Sequence, residues 1–287
     1  VAQRDQNDAA VLNVPGGRLA FTTDSYVVDP IFFPGGDIGD LAINGTVNDL
    51  AMSGARPLAI SVGLILEEGL PVADLKTILE SMRRAAAAAG VRIVTGDTKV
   101  VPRGKADKIF INTSGIGVFD HELEIAGSGA RVGDKILING SIGDHGMAVL
   151  ASREGLDLQS DIRSDSAALN GLVAALLQAG GPSVHVLRDP TRGGVATTLK
   201  EIALQSQVEL TLDETALPVQ AAVAGACAIL GLDPLFVANE GKLLAVVAPD
   251  AAEALLALMR SRPEGGEAAI IGEVTAGSAG RVSLRTA

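Results

Sequence analysis

TTDSYVVDPIFFPGGDIG, residues 22–39, holds both a strand and the start of a helix. The surrounding stretch 18–33 is rich in β-branched and aromatic residues, which predicts a strand. The glycine pair at 35–36 then forms a turn, and Asp37 is a candidate N-cap for a helix over 37–53. Because a Gly-rich turn before a helix leaves backbone amides free, this stretch is also a candidate site for an anion.

The next hundred residues continue the mixture of strands and helices. An apolar run over 58–66 predicts a strand, and the apolar spacing of 72–89 predicts a helix that ends at Gly90. Two further short apolar runs, 91–95 and 108–119, predict strands. The first half of the chain is therefore expected to be an α+β unit.

A polar, Gly-rich stretch at 120–134 marks a boundary between two domains, which we place at residues 1–122 and 131–287. The second half has no regular βαβαβ alternation, which favours an α+β arrangement over a doubly wound sheet. After a strand at 135–140, helices are expected near 165–179, 192–206, 218–230 and 250–261, and strands near 208–212, 243–248, 269–275 and 281–285.

The composition excludes several classes of protein. The 287 residues include 23 Lys and Arg against 34 Asp and Glu, a formal charge of −11, and only 2% are aromatic. Such an acidic chain is a poor candidate for binding nucleic acid or an anionic membrane surface. It also lacks the run of about 18 apolar residues that a membrane helix needs. A single cysteine, Cys227, lies in an apolar helical run and is expected to be a buried, inert thiol. We expect a cytoplasmic protein.

Six aspartates stand in short turns, several of them directly after apolar strands. Carboxylates gathered without His or Cys suit a hard cation such as Mg²⁺. Because Mg²⁺ can bridge carboxylates to phosphates, an acidic protein can bind a nucleotide in this way. The alternative is that each Asp only forms a turn or caps a helix. The six are Asp8, Asp24, Asp49, Asp97, Asp144 and Asp189.

Three further side chains are candidates for chemistry, each with a simpler alternative. Glu240 is a general base if it lines a pocket, and otherwise belongs to an exposed turn. Lys99 faces a phosphate or developing anion, or is an exposed lysine at a strand end. His145 holds a phosphate or moves a proton, or it caps the helix after Gly143.

Seven motifs occur in order over nearly the whole chain and together resemble the HypE family of hydrogenase expression/formation proteins. They are TTDSYVVDPIFFPGGDIG, NGTVNDLAMSGA, LILEEGLP, IVTGDTKVV, GSIGDHG, LRDPTRGG and FVANEGKL. That family shares a superfamily with aminoimidazole ribonucleotide synthetase and selenophosphate synthetase. The resemblance implies a two-domain PurM-like fold in which the N-terminal α+β domain closes a β-barrel with its twin in a homodimer. It also implies a C-terminal α/β sandwich domain, with ATP and Mg²⁺ in the cleft between the halves.

The activity implied by the resemblance is the synthesis of the cyanide ligands of [NiFe]-hydrogenase. A carbamoyltransferase partner, HypF, loads the C-terminal cysteine, and ATP-dependent dehydration turns the thiocarboxamide into a thiocyanate. The nitrile then passes to iron on the HypC–HypD complex. Two alternatives stay open: another ATP-dependent synthetase of the same superfamily, or a scaffold without catalysis that binds maturation partners.

The resemblance also implies roles for individual residues, with Glu240 and Lys99 as the catalytic pair. The metal ligands it implies are Asp8, Asp49, Asp97 and Asp144, and the nucleotide-binding residues are Asp24, Asp49, Asp97, Thr98, Asp144, His145 and Asn239. The family's N-terminal GSGG segment and its C-terminal tail of the type PRIC are not matched here. Since the acceptor cysteine belongs to that tail, this chain as it stands is not expected to accept a carbamoyl group.

Overall fold

The computed structural model describes residues 7–155 and 161–286, with seven α-helices, four short 3-10 helices and thirteen strands in those ranges. The helices are α1 Ile38–Met52, α2 Val72–Ala89, α3 Asp144–Glu154, α4 Asn170–Gly180, α5 Gly194–Ser206, α6 Ala221–Leu230 and α7 Ala252–Arg260. The strands are β1 Ala10–Val14, β2 Gly17–Tyr26, β3 Phe32–Phe33, β4 Gly36–Asp37, β5 Arg56–Glu67, β6 Arg92–Val101, β7 Ile109–Val118, β8 Lys135–Ile138, β9 Val184–Arg188, β10 Glu209–Asp213, β11 Leu244–Val247, β12 Ala269–Thr275 and β13 Arg281–Arg285.

The N-terminal half is a five-stranded sheet in the order β1-β2-β7-β5-β6 with α1 and α2 against one face. Helix α1 begins where expected, because Asp37 and Asp40 form a reciprocal capping box at its first turn. Helix α2 ends at Gly90, whose left-handed φ of 70° closes it. The core between helices and sheet is aliphatic, with Ile38, Ile60 and other side chains almost fully buried. The opposite face of the sheet is open to solvent over much of its area, with Phe21 and Ile116 more than 40% exposed.

The C-terminal half is a six-stranded sheet in the order β13-β10-β12-β8-β11-β9 with helices on both faces. Alternate residues of β8 show this directly: Leu137 packs with α4 and α7, whereas Ile136 and Ile138 pack with α5. A strand buried on both faces reads as a continuous apolar run, which is why KILI at 135–138 has no polar alternation. This half is therefore an α/β sandwich.

Several sequence expectations were wrong in detail. Asp24, Asp49 and Asp97 lie inside β2, α1 and β6 rather than in short turns. The strand expected over 18–33 stops at Tyr26 and resumes only at Phe32, since Pro30 has no N–H to offer a neighbouring strand. The helix expected near 165–179 begins only at Asn170. The strands β1 and β9 were not expected from the sequence at all.

The residues before α4 form an irregular segment, 161–169, which we call the strap. It lies against α1 of the other half, and its backbone is used for contacts that a helix could not make. Ser164 N–H donates to the Pro34 carbonyl (2.7 Å), and Leu169 N–H donates to Asn48 Oδ1 (2.8 Å). The strap thus ties the C-terminal half of the chain to the N-terminal half.

Helix α1 is buried almost all round, because the N-terminal sheet covers one side and the C-terminal half covers the other. Ala51 and Met52 at its end belong to the same apolar cluster as α4 and α7. The domain limits 1–122 and 131–287 stay a prediction, and residues 1 and 287 lie outside the described ranges. Among the helices described, none has the length and apolar character needed to cross a membrane.

Candidate functional site

A cleft of about 770 Å³ opens between the two halves of the chain. Its floor comes from β2 and α1, and its far wall comes from the start of α3 and from the loops that follow β9 and precede β11. Five of the sequence candidates line it: Asp24, Asp49, His145, Asp189 and Glu240. Its volume is within the range of about 300–1,000 Å³ that is typical of small-ligand sites.

The floor of the cleft is built around Asp49. The hydroxyl of Thr22 on β2 donates to Asp49 Oδ2 (2.8 Å) and lies 3.1 Å from the backbone carbonyl of Asp8. Asp8 Oδ1 is 2.9 Å from the Nε of Arg188, the last residue of β9, while its Oδ2 is buried and has no hydrogen-bond partner in the part of the chain that the structure describes. An orphaned buried carboxylate oxygen is expensive unless something else meets it, so Asp8 Oδ2 has room for a further hydrogen-bond donor or a cation.

Burial, together with repulsion from neighbouring carboxylates, raises the pKa values of Asp8, Asp49 and Asp189. Burial raises the pKa of Asp189 to about 6. Burial first, and then the charge of Asp189, hold the pKa values of Asp8 and Asp49 well above the usual range. Like charges gathered at low dielectric are typical of functional sites, and a divalent cation would relieve their repulsion.

Glu240 lines the cleft from the loop before β11, and its pKa is well above the usual range because of burial and then because of the charge of Asp189. A carboxyl group with a raised pKa is a better base once it is ionised. The guanidinium of Arg192 is close enough to oppose this shift. Within residues 7–155 and 161–286, Arg192 has no hydrogen-bond or ion-pair partner, so its charge is available to an anion in the cleft.

Two other candidates differ in how their side chains are used. The ring of His145 packs edge-on against Phe33, its Nδ1 is 2.8 Å from Ser164 Oγ, and burial lowers its pKa. His145 is therefore a neutral ring at the rim of the cleft. Asn239 is fully buried, its Oδ1 accepts from Gly143 N–H (2.8 Å) and its amide donates to the Pro190 carbonyl (2.9 Å). The side chain of Asn239 holds two loops of the protein together.

Asp144 does not line the main cleft. It opens α3, accepts a hydrogen bond from the hydroxyl of Ser141, and lines a neighbouring pocket of about 440 Å³. Asp165 and Lys242 line the same pocket as an ion pair, with 3.0 Å between the carboxylate and the ammonium nitrogen. Burial raises the pKa of Asp144.

Asp97, Thr98 and Lys99 also lie apart from the cleft, on the edge strand β6. The register runs from Asp24 through the neighbouring residues of β7 and β5 to Gly96, so three strand spacings, about 14 Å, separate the two aspartates. Lys99 Nζ is 2.8 Å from Asp97 Oδ2, and that contact lowers the pKa of Asp97. The predicted metal ligands Asp8, Asp49, Asp97 and Asp144 are thus not brought together within one chain, and the described residues contain no group of three or more His, Cys, Asp or Glu side chains placed to hold a metal ion.

Sequence reasoning missed three residues that shape the cleft. Arg192 and Arg153 supply positive charge to its lining, and Arg153 is held there by its bond to the Asp29 carbonyl (2.7 Å). Asn48, next to Asp49 on α1, contacts the backbone of Glu240. The only signal for Arg192 was its place in LRDPTRGG, where Gly194 has a positive φ of 62° and a Cβ there would lie 2.5 Å from the Leu235 carbonyl oxygen.

Two family models match the chain, the N-terminal domain of AIR synthase related proteins over residues 6–119 and the C-terminal domain over residues 131–285. Carbamoyl dehydratase HypE of Rhizobium leguminosarum bv. viciae is 57% identical over 273 residues, which are 95% of this chain and 78% of that protein. The chain belongs to the HypE family of carbamoyl dehydratases. It is therefore an enzyme of hydrogenase maturation, as the motifs predicted.

Solved structures of the family agree with this fold. A crystal structure of the hydrogenase maturation protein HypE in complex with ATP has a TM-score of 0.92 and 55% identity, covering 98% of this chain and 85% of that one. A crystal structure of a HypE–HypF complex has a TM-score of 0.94 and 50% identity, covering 99% and 91%. The two-domain PurM-like fold and the enzyme class expected from the sequence are confirmed.

Proposed function

We propose that this chain binds ATP with Mg²⁺ in the carboxylate cleft and uses it to dehydrate a thiocarboxamide to a thiocyanate, the source of cyanide for [NiFe]-hydrogenase. The observation that carries the proposal is one cleft that joins carboxyl groups with raised pKa values to the guanidinium of Arg192, which has no ion-pair partner among the described residues. That combination suits a metal-bound triphosphate at one end and a proton acceptor at the other.

The residues present fit this pair of ligands. Asp8 and Asp49 supply oxygens that hard cations prefer, and the unpartnered Oδ2 of Asp8 lacks a donor of its own. Asp24 and Asp189 line the cleft together with Asp49, whereas Asp8 is not part of its lining. Bound Mg²⁺ would supply charge neutralisation for the phosphates; without it, the carboxylates repel a triphosphate.

The cleft also offers what the dehydration needs from the protein. An amide oxygen is a poor leaving group, so ATP phosphorylates it, and loss of phosphate together with the two N–H protons leaves the nitrile. In this proposal Glu240 accepts a proton at its carboxylate, because it lines the cleft from the C-terminal half and has a raised pKa. Arg192 steadies the negative charge of the transferring phosphoryl group.

Calorimetry tests the metal requirement directly. ATP is expected to bind the wild-type chain in the presence of magnesium and to lose that binding in EDTA, and Asp49→Asn is expected to weaken binding in magnesium. Asp250→Asn, an exposed carboxylate far along the chain, is the matched control. Equal ATP affinity in magnesium and in EDTA would contradict the proposed role of Mg²⁺.

The motif residues Asp97 and Lys99 on β6 would belong to the nucleotide site if that site is shared between two subunits. The open face of the N-terminal sheet carries exposed apolar side chains, among them Phe21, Leu58 and Ile116, which is unusual for a surface that stays in water. Closing two such sheets into a barrel would pair each β6 edge with the partner's β1 edge, next to β2. We infer a homodimer in which the partner's Asp97 and the partner's Lys99 reach the cleft, where Lys99 acts on the phosphates.

Mixing two inactive variants separates this arrangement from a site within one chain. Asp49→Asn and Asp97→Asn are each expected to abolish turnover. Equal amounts, mixed and allowed to exchange subunits, are expected to recover about a quarter of the wild-type sites, because half of the dimers then contain one intact site of two. No recovery despite proven subunit exchange would contradict the shared site. Light scattering at micromolar concentration tests the dimer itself.

The same proposal names the partners. HypF is expected to load the acceptor cysteine on a tail like that of the family, and the HypC–HypD complex is expected to receive the nitrile. We place the reaction in the cytoplasm, where a reduced and buried thiol such as Cys227 is ordinary.

A further inference from the structure

Asn48 and Asp49 are neighbours on α1 but face different parts of the site. Asp49 forms part of the floor of the cleft. Asn48 is 1% exposed, and its side chain contacts the strap and the loop that carries Glu240. We propose that Asn48 is the positioning residue for Glu240, fixing the base of the C-terminal half relative to the nucleotide carboxylates of the N-terminal half. This inference rests on the proposed role of Glu240 as the base.

All the hydrogen bonds of the Asn48 side chain go to backbone groups. Its Nδ2 donates to the Glu240 carbonyl (3.2 Å) and to the Ala167 carbonyl (3.0 Å), and its Oδ1 accepts from Leu169 N–H (2.8 Å). One amide therefore joins three segments that are far apart in the sequence: α1, the strap and the loop before β11. Because an Asn in a buried position with three partners has one satisfied geometry, it holds those segments in a fixed relation.

The other side of Glu240 is held from the strap. Glu240 N–H donates to Asp165 Oδ1 (3.1 Å), and the remaining oxygen of Asp165 pairs with Lys242 (3.0 Å). A side chain at Gly241 would collide with the Asp165 carbonyl oxygen, so the loop and the strap are in direct contact. The peptide units on both sides of the Glu240 Cα are thus fixed, which leaves only the side-chain torsions free to move.

Such fixing matters because proton transfer depends on distance. A displacement of about 1 Å at a reacting group can reduce a rate about 100-fold. We expect no direct role for Asn48 in nucleotide binding, since both Nδ2 hydrogens and one lone pair of Oδ1 are used by the backbone groups named above. Its loss should therefore affect the chemical step and leave ATP affinity nearly unchanged.

Asn44 provides a matched control. It lies one turn earlier on the same side of α1, is also buried at 7% exposed, and donates to Ser166 Oγ of the strap (3.1 Å). Among the described residues, no hydrogen bond joins Asn44 to Glu240. Asn44→Ala and Asn48→Ala thus remove the same chemical group from the same helix–strap interface, and only Asn48→Ala releases the Glu240 loop.

The first test needs no substrate. Infrared difference spectroscopy during a pH titration, with Glu240→Gln to assign the band, follows the Glu240 carboxyl. The charged groups that act on it are Asp189, Asp165, Asp24 and Arg192, all present in every variant. Asn48→Ala is expected to lower the titration midpoint by about one pH unit, because water reaches the released loop. Asn44→Ala is expected to leave the midpoint unchanged.

The second test uses single-turnover dehydration in the chain extended by a carbamoylated cysteine tail. Asn48→Ala should slow the reaction about 100-fold, shift the acidic limb of its pH profile downward and keep the ATP Kd within about threefold, while Asn44→Ala should react like the wild type.

If Asn48→Ala does not fold, Asn48→Ser leaves room for a water and is expected to behave alike. Equal rates and midpoints for the Asn48 and Asn44 variants would overturn the inference, and so would full activity of Glu240→Gln. An inactive wild type would instead refute the proposed function.

Discussion

Replacing Asp189 by asparagine is expected to stabilise the protein, although Asp189 belongs to the proposed active site. The side chain is only 7% exposed, and burial moves its pKa from 3.8 to about 6. At pH 7.5 Asp189 is therefore ionised in the folded chain, although its buried environment favours the protonated form. A shift of about 2.2 units at 1.36 kcal/mol each corresponds to about 3 kcal/mol of lost stability. Asparagine keeps the size and one acceptor oxygen but removes the charge.

The sign of the pH dependence follows from the direction of that shift. Because the folded pKa lies above the unfolded one, the penalty is complete above pH 6 and disappears as the pH falls from about 6 to about 4. The advantage of Asp189→Asn should therefore be largest at pH 7.5 and small at pH 4. For domains of this size, 3 kcal/mol corresponds to about 6–12 °C in Tm.

Differential scanning calorimetry at the two pH values measures this effect, with Asp250→Asn as the exposed control. Added magnesium should raise the Tm of the wild type more than that of Asp189→Asn, since the variant has less repulsion to relieve. A variant that melts at or below the wild type at pH 7.5 would show that the cluster is not strained by its charges, and would remove the electrostatic argument for a cation there.

Three shorter predictions concern single residues. Glu240→Gln should bind ATP nearly as the wild type does but fail to form the nitrile in a chain with its tail, as product mass would reveal; full dehydration would place the base elsewhere. Arg192→Met should slow phosphoryl transfer by 100-fold or more in single-turnover ATP cleavage, and an unchanged rate would exclude it from the charge-stabilising role. Cys227, buried in α6 with its pKa raised by burial, should gain no carbamoyl mass after incubation with HypF, carbamoyl phosphate and ATP, and a modified Cys227 would contradict its inert character.

Local sequence patterns were sufficient to predict the elements that are determined by residues close together in the chain. The bounds of α2 follow from its apolar spacing and Gly90, and the start of α1 follows from Asp37. The strap could not be predicted in this way, because its conformation depends on α1, more than a hundred residues earlier in the chain. Strand β9 was missed since its run VHVLR mixes apolar residues with His185 and Arg188, whose partners come from distant segments.

The site residues also divide into those that the sequence identified and those that it did not. Motif resemblance singled out Asp24, Asp49 and Glu240, which do line one cleft. It did not reveal that Asp97 lies three strands away, because spacing along the chain says nothing about the order of strands in a sheet. Arg192 looks like a solvated turn residue in the sequence. Only the surrounding carboxylates and the lack of a hydrogen-bond partner among the described residues give it a role.

The strap has a consequence for any attempt to divide the gene. A cut near residues 120–130 separates the two sheets, but it also removes the strap from α1, where Asp40, Asn44 and Asn48 would lose their partners in the strap. An isolated N-terminal fragment would then expose a helix with apolar side chains on both sides, and should aggregate when expressed by itself. The two fragments produced together should find each other through the same bonds, so that co-expression rescues what separate expression cannot.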